Sequence, residues 1–457
     1  MIKKVKKNCV MFVTAMLIVM PALNAQELEK RHITQDESVQ LAIKNNLSLE
    51  SQRITTAGQK RKSDLFWNQF IPSVSLSGGL IGDNEKPAPT STPLGDIEIS
   101  NWHTMWQVQV QLNLPIFALG PGIRSLKLDY QNGLITYEKA KLQLERDVRK
   151  SYNSILLLEE QLNLQQQSFE NAKAQAESAR INYLSGRSPE LQWMQAEVTA
   201  KNKQPTIDQL KNAVTTAKNN LAMSCGLDFD AVDLDLEPIA DGTNFASLQT
   251  EELVKQALDK KPDILDMKAQ LQTVQMQRKA QLLGYWTPAL SLSWNTQNIY
   301  TATTGARETD FFEPDDWIKS GGFQIMFSWT ATNLLPFSQN NQSVKATDDN
   351  ISKLSIGLTQ LIQGTEIDVY NKVFSLDQTR QSMAAQKSTL DLAERSYSAT
   401  LTAYNSGLQS FLQVDQSEEQ LRSARLKMQE QKIEYINGLI DLEYSIGVPF
   451  GTYSSLN

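Results

Sequence analysis

The chain has 457 residues, 40% of them hydrophobic and 21% charged, with a net charge of −7 and a mean hydropathy of −0.38. Past the N-terminus no run approaches the ~18 apolar residues of a spanning helix, which excludes a polytopic helical membrane protein, and the apolar and aromatic content excludes a disordered chain. Two histidines (His32, His103) and two cysteines (Cys9, Cys225) exclude a disulfide framework and argue against a His/Cys metal site.

Residues 1–25 read as a secretory signal peptide. Lys3, Lys4, Lys6 and Lys7 precede an apolar run from Val10 to Met20, and cleavage is expected after Ala25. Cys9 stands before that run, so a lipoprotein anchor is not supported. Losing these four lysines and no acid takes the charge from −7 to −11. An acidic exported chain has no evident nucleic-acid role.

The remainder reads as a duplication. IPSVSLS (71–77) matches TPALSLS (287–293), YLSG (183–186) matches YNSG (404–407), and LAMSCGLDF (221–229) matches LEYSIGVPF (442–450). The first repeat is placed at 26–226 and the second at 251–457. Each begins with a helix of about 37 residues (34–70; 251–286). Two strands follow, at about 72–81 and 102–115 in the first copy and 288–297 and 317–329 in the second. Then come a very long helix (about 123–184; 343–405), a tight turn, and a return helix (187–225; 410–446). Residues 227–250 join the copies as a mid-stalk linker rich in aspartate, either a small strand-bearing patch around Val232, Leu234 and Leu236 or a solvated acidic linker. In series, a return helix and the next leading helix overshoot one long helix, so the junction is expected to overlap.

Val148, Ile155, Leu162, Phe169, Ala176 and Tyr183 recur every seven residues, as do Val369, Leu376, Met383, Leu390, Tyr397 and Tyr404. Strict seven-residue spacing favours left-handed coiling, or at least a helical bundle. A helix of ~60 residues spans roughly 90 Å, so it projects as a stalk or tube. Gly186 and Gly407 suit the left-handed residue that ends such a helix.

The strands alternate strictly. Trp106, Val108, Val110, Leu112 and Leu114 share one face; Gln107, Gln109, Gln111 and Asn113 share the other. A half-buried soluble sheet would alternate too. Seven of the eight tryptophans (67, 102, 106, 286, 294, 317, 329) nevertheless lie in or beside these strands, which fits the aromatic girdles of an outer-membrane barrel. Four strands cannot close in lipid. Two chains give eight strands, nearly filled by side chains, and three give twelve with a lumen. The expected fold is mostly α with a transmembrane β part: a trimer forming a 12-stranded β-barrel continuous with an α-helical barrel.

The chain resembles the TolC-like outer-membrane efflux protein family. ELVKQALDKKPDILDMKAQLQ (251–271) resembles the family's opening segment, with Lys261-Pro262-Asp263 in place of Arg-Pro-Asp, and AIKNNLSLESQR (42–53) is its first-copy equivalent. The two Tyr-x-x-Gly tips and two Ser-x-Gly helix endings also match, across essentially the whole mature chain. The resemblance implies a homotrimer in the outer membrane of a Gram-negative bacterium with a long periplasmic extension. It implies docking to a periplasmic adaptor and an inner-membrane pump, as an exit duct for efflux or type I secretion, with no catalytic residue, metal or cofactor. It implies a constriction at the tip, where family aspartates are replaced by Gln413 and Gln416, with Gln192 and Gln195 in the first copy. Tyr404 matches a locking tyrosine, and Gln409 stands where an arginine is expected. Gly186, Arg187, Ser188, Gly407, Leu408 and Gln409 are the expected adaptor contacts. The competing function is a non-conducting coiled-coil stalk or adhesin. An enzyme finds no support, since the many acidic pairs are expected on solvated helix faces.

Overall fold

The computed structural model describes residues 29–85, 87–228, 232–237 and 249–453. The expected signal peptide lies outside the described residues, as does most of the acidic linker. A short strand β1 (Glu29–Ile33) leads into helix α1 (Gln35–Asn45). Thr34 caps α1 in a reciprocal box with Glu37, satisfying two otherwise orphaned backbone donors. The leading helix expected over 34–70 is broken. Asn46 leaves the helical conformation and its side chain accepts from Ser48 and Leu49, starting α2 (Leu47–Asp64), and residues 66–70 tighten into a 3₁₀ turn. The second leading helix breaks at the equivalent place. Lys261 separates α5 (Thr250–Lys260) from α6 (Pro262–Trp286), because Pro262 cannot continue the hydrogen-bond ladder and suits a first helical position.

The two long helices are α3 (Leu119–Leu184), of 66 residues, and α7 (Gln339–Asn405), of 67. Each starts earlier than its sequence reading and extends about 100 Å at 1.5 Å per residue. They fold back into α4 (Glu190–Ser224) and α8 (Phe411–Ile446). At both turns the glycine is left-handed (Gly186, φ +71; Gly407, φ +74). Arg187 N–H donates to the Asn182 carbonyl and Leu408 N–H to Ala403, the bonds that close a helix end.

Near the sheet, α3 packs between α2 and α6, and α6 packs on α7; farther out, α3 packs between α4 and α8, and α8 packs on α7. The two long helices thus run the whole length while their neighbours change midway. The expected overshoot disappears because α5 lies aside against α7 and α8, leaving only α4 (35 residues) and α6 (25) in series along α3. At the changeover, β1 pairs in parallel with β5 (Val232–Leu236), so residues 232–236 of the linker form a strand. Tyr152 of α3, fully buried, anchors this pair: its hydroxyl accepts from Glu237 N–H at 2.8 Å and lies 2.9 Å from the Ile33 carbonyl. Burial pushes this phenol up to about 12.

The sheet comprises β2 (Ser73–Gly82), β4 (Gly95–Leu114), β6 (Ala289–Gly305) and β7 (Ile318–Ser328), all antiparallel in that order, with a three-residue β3 (Thr90–Thr92) beside β4. The middle strands exceed the stretches expected at 102–115 and 288–297: β4 and β6 continue past the ends of β2 and β7 on the side away from the helices.

The Ser-x-Gly helix endings have a steric role. Gly226 and Gly447 both adopt φ +66 and press against the breaks in the leading helices. A Cβ on Gly447 would lie 2.3 Å from the Lys260 carbonyl oxygen, and one on Gly226 would lie 2.4 Å from the Asn45 Cβ. Asn45 and Asn46 in turn donate to the Cys225 and Ser224 carbonyls at 3.2 Å. Gly447→Ala is therefore expected to lower the melting temperature, since the left-handed conformation alone costs a non-glycine residue roughly 1–2 kcal/mol. Gly364→Ala, in open space within α7, is expected to raise it slightly through a gain of roughly 0.5–1 kcal/mol. Thermal melts of the two variants check this pair of opposite signs.

Candidate functional site

The first element of the site is the two-faced sheet. Register places Val74, Val110, Trp294 and Phe323 in one row across all four strands, and Ser73, Gln111, Ser293 and Gln324 in the adjacent row on the opposite face. The apolar face is open: Val74 is 70% exposed, Leu76 75% and Phe327 70%. On the polar face, amides hydrogen-bond along β4, Gln109 to Gln111 and Gln111 to Asn113, both at 3.3 Å, and Ser291 donates to Asn113 at 2.8 Å. Trp67, Trp286 and Trp329 are exposed beside the helices, Trp102 at the far end of the β2–β4 ladder, and Trp106 and Trp294 within the sheet. Every residue of β2 and β7 is exposed, and the outer edge of each is unpaired among the described residues.

The second element is the pair of helical tips. Phe411, at the start of α8, is buried against Ala179 of α3 and Ala196 of α4, with Trp193 and Tyr404 packed around it, so the two tips lie side by side. Trp193, the tryptophan outside the strands, stacks on Tyr183 with ring centroids 5.8 Å apart. Gln192, Gln195, Gln413 and Gln416 are all exposed in the first turns of α4 and α8. Gln413 has a local partner that sequence reasoning missed: its side-chain oxygen accepts from Ser410 N–H at 3.1 Å, completing a capping box. Arg187, Leu408 and Gln409 are exposed at the turns, and Ser188 is half-buried. Apolar neighbours not singled out from sequence are exposed there too, including Leu184 at 69%, Leu191 at 63% and Leu412 at 60%.

A third element corrects the expectation that the acidic residues are solvated. Glu418 of α8 is 5% exposed and Lys203 of α4 is 8% exposed, at the seam between the two hairpins. Lys203 Nζ donates to Ser168 at 2.9 Å and to Glu419 at 3.0 Å; Asn171 donates to Glu418 at 3.0 Å; Arg422 donates to Glu419 at 2.6 Å. Burial pushes the Glu418 carboxyl above its ordinary range, against the Asn171 hydrogen bond and the Lys203 charge. Asp415 is raised in the same way, by burial. Glu419 goes down, because its Arg422 and Lys203 hydrogen bonds outweigh burial. A signal for the cluster was present in the sequence. Lys203 continues the buried stripe Ala196, Ala200, Ile207, Val214, and Glu418 continues Phe411, Val414, Leu421. A charge on an apolar stripe needs partners.

The resemblance-bearing Lys-Pro-Asp also works structurally. Lys261 is 8% exposed and donates to Thr365 at 3.2 Å, and burial lowers its ammonium. Asp263 pairs with Lys139 of α3 at 3.0 Å. Among the described residues, no group of three or more His, Cys, Asp or Glu is placed to hold a metal, and no helix is long and apolar enough to cross a membrane.

A family model described as outer membrane efflux protein matches residues 38–227 and 253–448. Toxin and drug export protein A of Aggregatibacter actinomycetemcomitans is 25% identical over 203 residues, a match covering 41% of each chain. The fold is similar to the Campylobacter jejuni CmeC outer membrane channel (TM-score 0.72, 14% identity, covering 90% of this chain and 85% of that one). It is also similar to CusC (TM-score 0.68, 16% identity, 91% and 92%) and to the open-state Neisseria gonorrhoeae MtrE outer membrane channel (TM-score 0.63, 14% identity, 91% and 89%). At these identities the likeness is one of fold.

The cluster has a pH signature. Lys203, Asp415 and Tyr397 are the charged or titratable groups coupled to Glu418, Glu419 and Arg422 join through Lys203, and α3 contributes the neutral Ser168 and Asn171. A carboxyl raised on packing favours the packed state as pH falls from neutrality toward its ordinary value of 4.5. Glu419, lowered on packing, contributes above its ordinary value and loses that contribution as pH drops below it. Glu418→Gln, which keeps an acceptor for Asn171, is expected to slow amide exchange in 411–425 at pH 7.5. That advantage over the native chain is expected to shrink at pH 5. An unchanged exchange profile at both pH values would place no buried charge at Glu418.

Proposed function

The chain belongs to the outer membrane efflux protein family, and on that premise we propose that three copies close one 12-stranded outer-membrane barrel continuous with a helical duct. The observation that carries this reading is the sheet: one apolar face, one face of glutamine and serine, and two open edges. Lipid offers no partner for an open edge, so closure has to come from other copies. Strand direction permits it, because β2 runs away from the helices and β7 runs back toward them, and one chain's β7 meets the next chain's β2 antiparallel. Eight strands from two copies are nearly filled by side chains; twelve leave a water-filled lumen lined by the polar face.

The duct is the exit of a tripartite efflux or type I secretion assembly, receiving solutes from a periplasmic adaptor and an inner-membrane pump. The relative named for toxin and drug export fits either cargo, since both leave through one outlet. The tips carry the adaptor contacts. Gly186, Arg187, Ser188, Gly407, Leu408 and Gln409 form the turns, and the exposed Leu184, Leu191 and Leu412 give a partner apolar surface to cover. Gln192, Gln195, Gln413, Gln416 and Tyr404 line the narrowest part, where neutral amides bind cations less strongly than carboxylates would.

Planar-bilayer recording of the purified protein tests the duct: stable conductance is expected, and a non-conducting coiled-coil stalk gives none. Replacing Gln413 and Gln416 together by alanine is expected to raise that conductance if they form the narrowest ring, and an unchanged value moves the constriction elsewhere. Cysteines placed at Arg187 and Leu408 are expected to trap the adaptor in cells by crosslinking; failure with the adaptor expressed removes the tips from the interface.

A further inference from the structure

The loop joining β6 to β7 (306–317) carries an aromatic cluster that the duct itself does not use. Phe311 packs edge-on against Tyr300 and against Trp317, with ring centroids 5.2 Å apart in both pairs, and Phe312 packs edge-on against Phe311 at 5.5 Å. The loop is held by its own hydrogen bonds. The Tyr300 hydroxyl donates to the Thr309 carbonyl at 3.0 Å, the Trp317 indole to the Phe311 carbonyl at 2.9 Å, and Asp310 N–H to the Asp316 carboxylate at 2.8 Å. The polar groups of these rings are thus satisfied within the loop, yet Phe312 is 87% exposed. A phenyl group held out on an ordered loop presents apolar surface with little conformational entropy left to lose on contact.

Register fixes the side of the sheet on which the cluster stands. Tyr300 lies an even number of residues beyond Trp294 on an unbroken stretch of β6, hence on the apolar face, in one row with Leu80 and Thr104. A further copy of the chain adds a strand at the edge of β7, in the plane of the sheet, and the helical tips lie at the other end of the molecule, so neither covers this face. At ~3.4 Å per residue and a tilt of ~45°, Leu290 and Tyr300 differ in height by roughly 24 Å, close to the ~25 Å apolar band of an outer-membrane barrel. Lys319, one row nearer the helices on the same face, is exposed, and its stem can lie along the sheet while its ammonium reaches the polar side. The loop also carries exposed Glu308, Glu313 and Asp315, which suit the surface of a bilayer and not its hydrocarbon. Aromatic rings beside polar groups at this level are the composition of a membrane–water interface.

We propose that this loop seats on the lipid interface of the outer leaflet, with Phe311 and Phe312 at the boundary between headgroups and acyl chains. The inference rests on the barrel reading and adds to it the level at which the bilayer ends on the outer side. The phenyl groups enter the interface and the carboxylates stay at its aqueous side. With three copies, three such loops stand around the rim of the barrel.

Spin labels on single cysteines test this in the exported protein reconstituted in phosphatidylcholine bilayers, on a Cys225→Ala background. The labels are placed by Phe312→Cys, by Phe323→Cys on the apolar face of β7, and by Glu308→Cys. Oxygen, which concentrates in lipid, and a water-soluble nickel chelate each relax a label in proportion to its access. The label at 323 is expected to favour oxygen and the label at 308 the chelate. The label at 312 is expected to side with 323, with an oxygen-to-nickel ratio several-fold above that at 308. A ratio at 312 equal to that at 308 overturns the proposal. So does a label at 312 shielded from both reagents, which puts protein over the loop. A label at 323 open to the chelate overturns the barrel reading and this inference with it, whereas failure at 312 alone leaves the barrel reading standing.

Discussion

A backbone amide on an open strand edge needs a hydrogen-bond partner, and in hydrocarbon no water supplies one; this constraint governs the sheet end of the molecule under the proposed function. The two inner strands satisfy each other and their neighbours, but β2 and β7 each satisfy only one side. The apolar row Val74, Val110, Trp294, Phe323 commits one face of the sheet to lipid or to another apolar surface, and the glutamine and serine rows commit the other to water. A sheet with those two commitments and two raw edges is an incomplete object by itself. The helical part has the complementary economy. Each long helix buries one stripe against its hairpin partner and finds further neighbours along its length, so no separate globular core is needed to hold it straight.

Along the helices, polar contacts help fix register. A seven-residue repeat keeps its apolar stripe facing the partner helix after a slip of one heptad, so the repeat alone fixes register weakly. Lys203 with Ser168 and Glu419, Asn153 with Asn437, and Lys150 with Asp441 each have one correct level along the stalk. A slip of seven residues would strand the buried Lys203 ammonium without its partners, and a buried charge left unpaired is costly. The charges on apolar stripes thus select one alignment of the two hairpins.

The elements with a strong period were legible from the sequence. The long helices, both glycine turns and the alternating faces of the strands follow from spacing alone, since 3.5 and 2 are separable periods. What escaped reading depends on contacts between distant segments. The breaks at Asn46 and Lys261 have local causes, the Asn46 cap and Pro262, but interrupt stretches whose apolar pattern continues across them; their placement against the helix endings at Gly226 and Gly447 shows only in the fold. The outward extension of β6 (298–305) is rich in threonine without an apolar stripe, and that of β4 (95–101) alternates only briefly around Ile97 and Ile99, so neither enters the expected strands. Among the candidate site residues, the tip glycines were legible through their conformational requirement. Gln413 was identified by position but not by its bond to Ser410, although Ser-x-x-Gln before an apolar run is a recognisable helix start.

The changeover of partners midway along α3 and α7 has a consequence for how the two halves of the chain relate. Asp263 and Asp266 from the second half pair with Lys139 in the first, and α8 lies against α3 rather than only against its own hairpin mate. The two halves are therefore interleaved like the fingers of clasped hands, each completing the wall of the other. Neither half, cut out between 227 and 250, would retain a finished surface. Although the sequence repeats, the two halves share one seam, and a residue on one side of it is matched to those on the other.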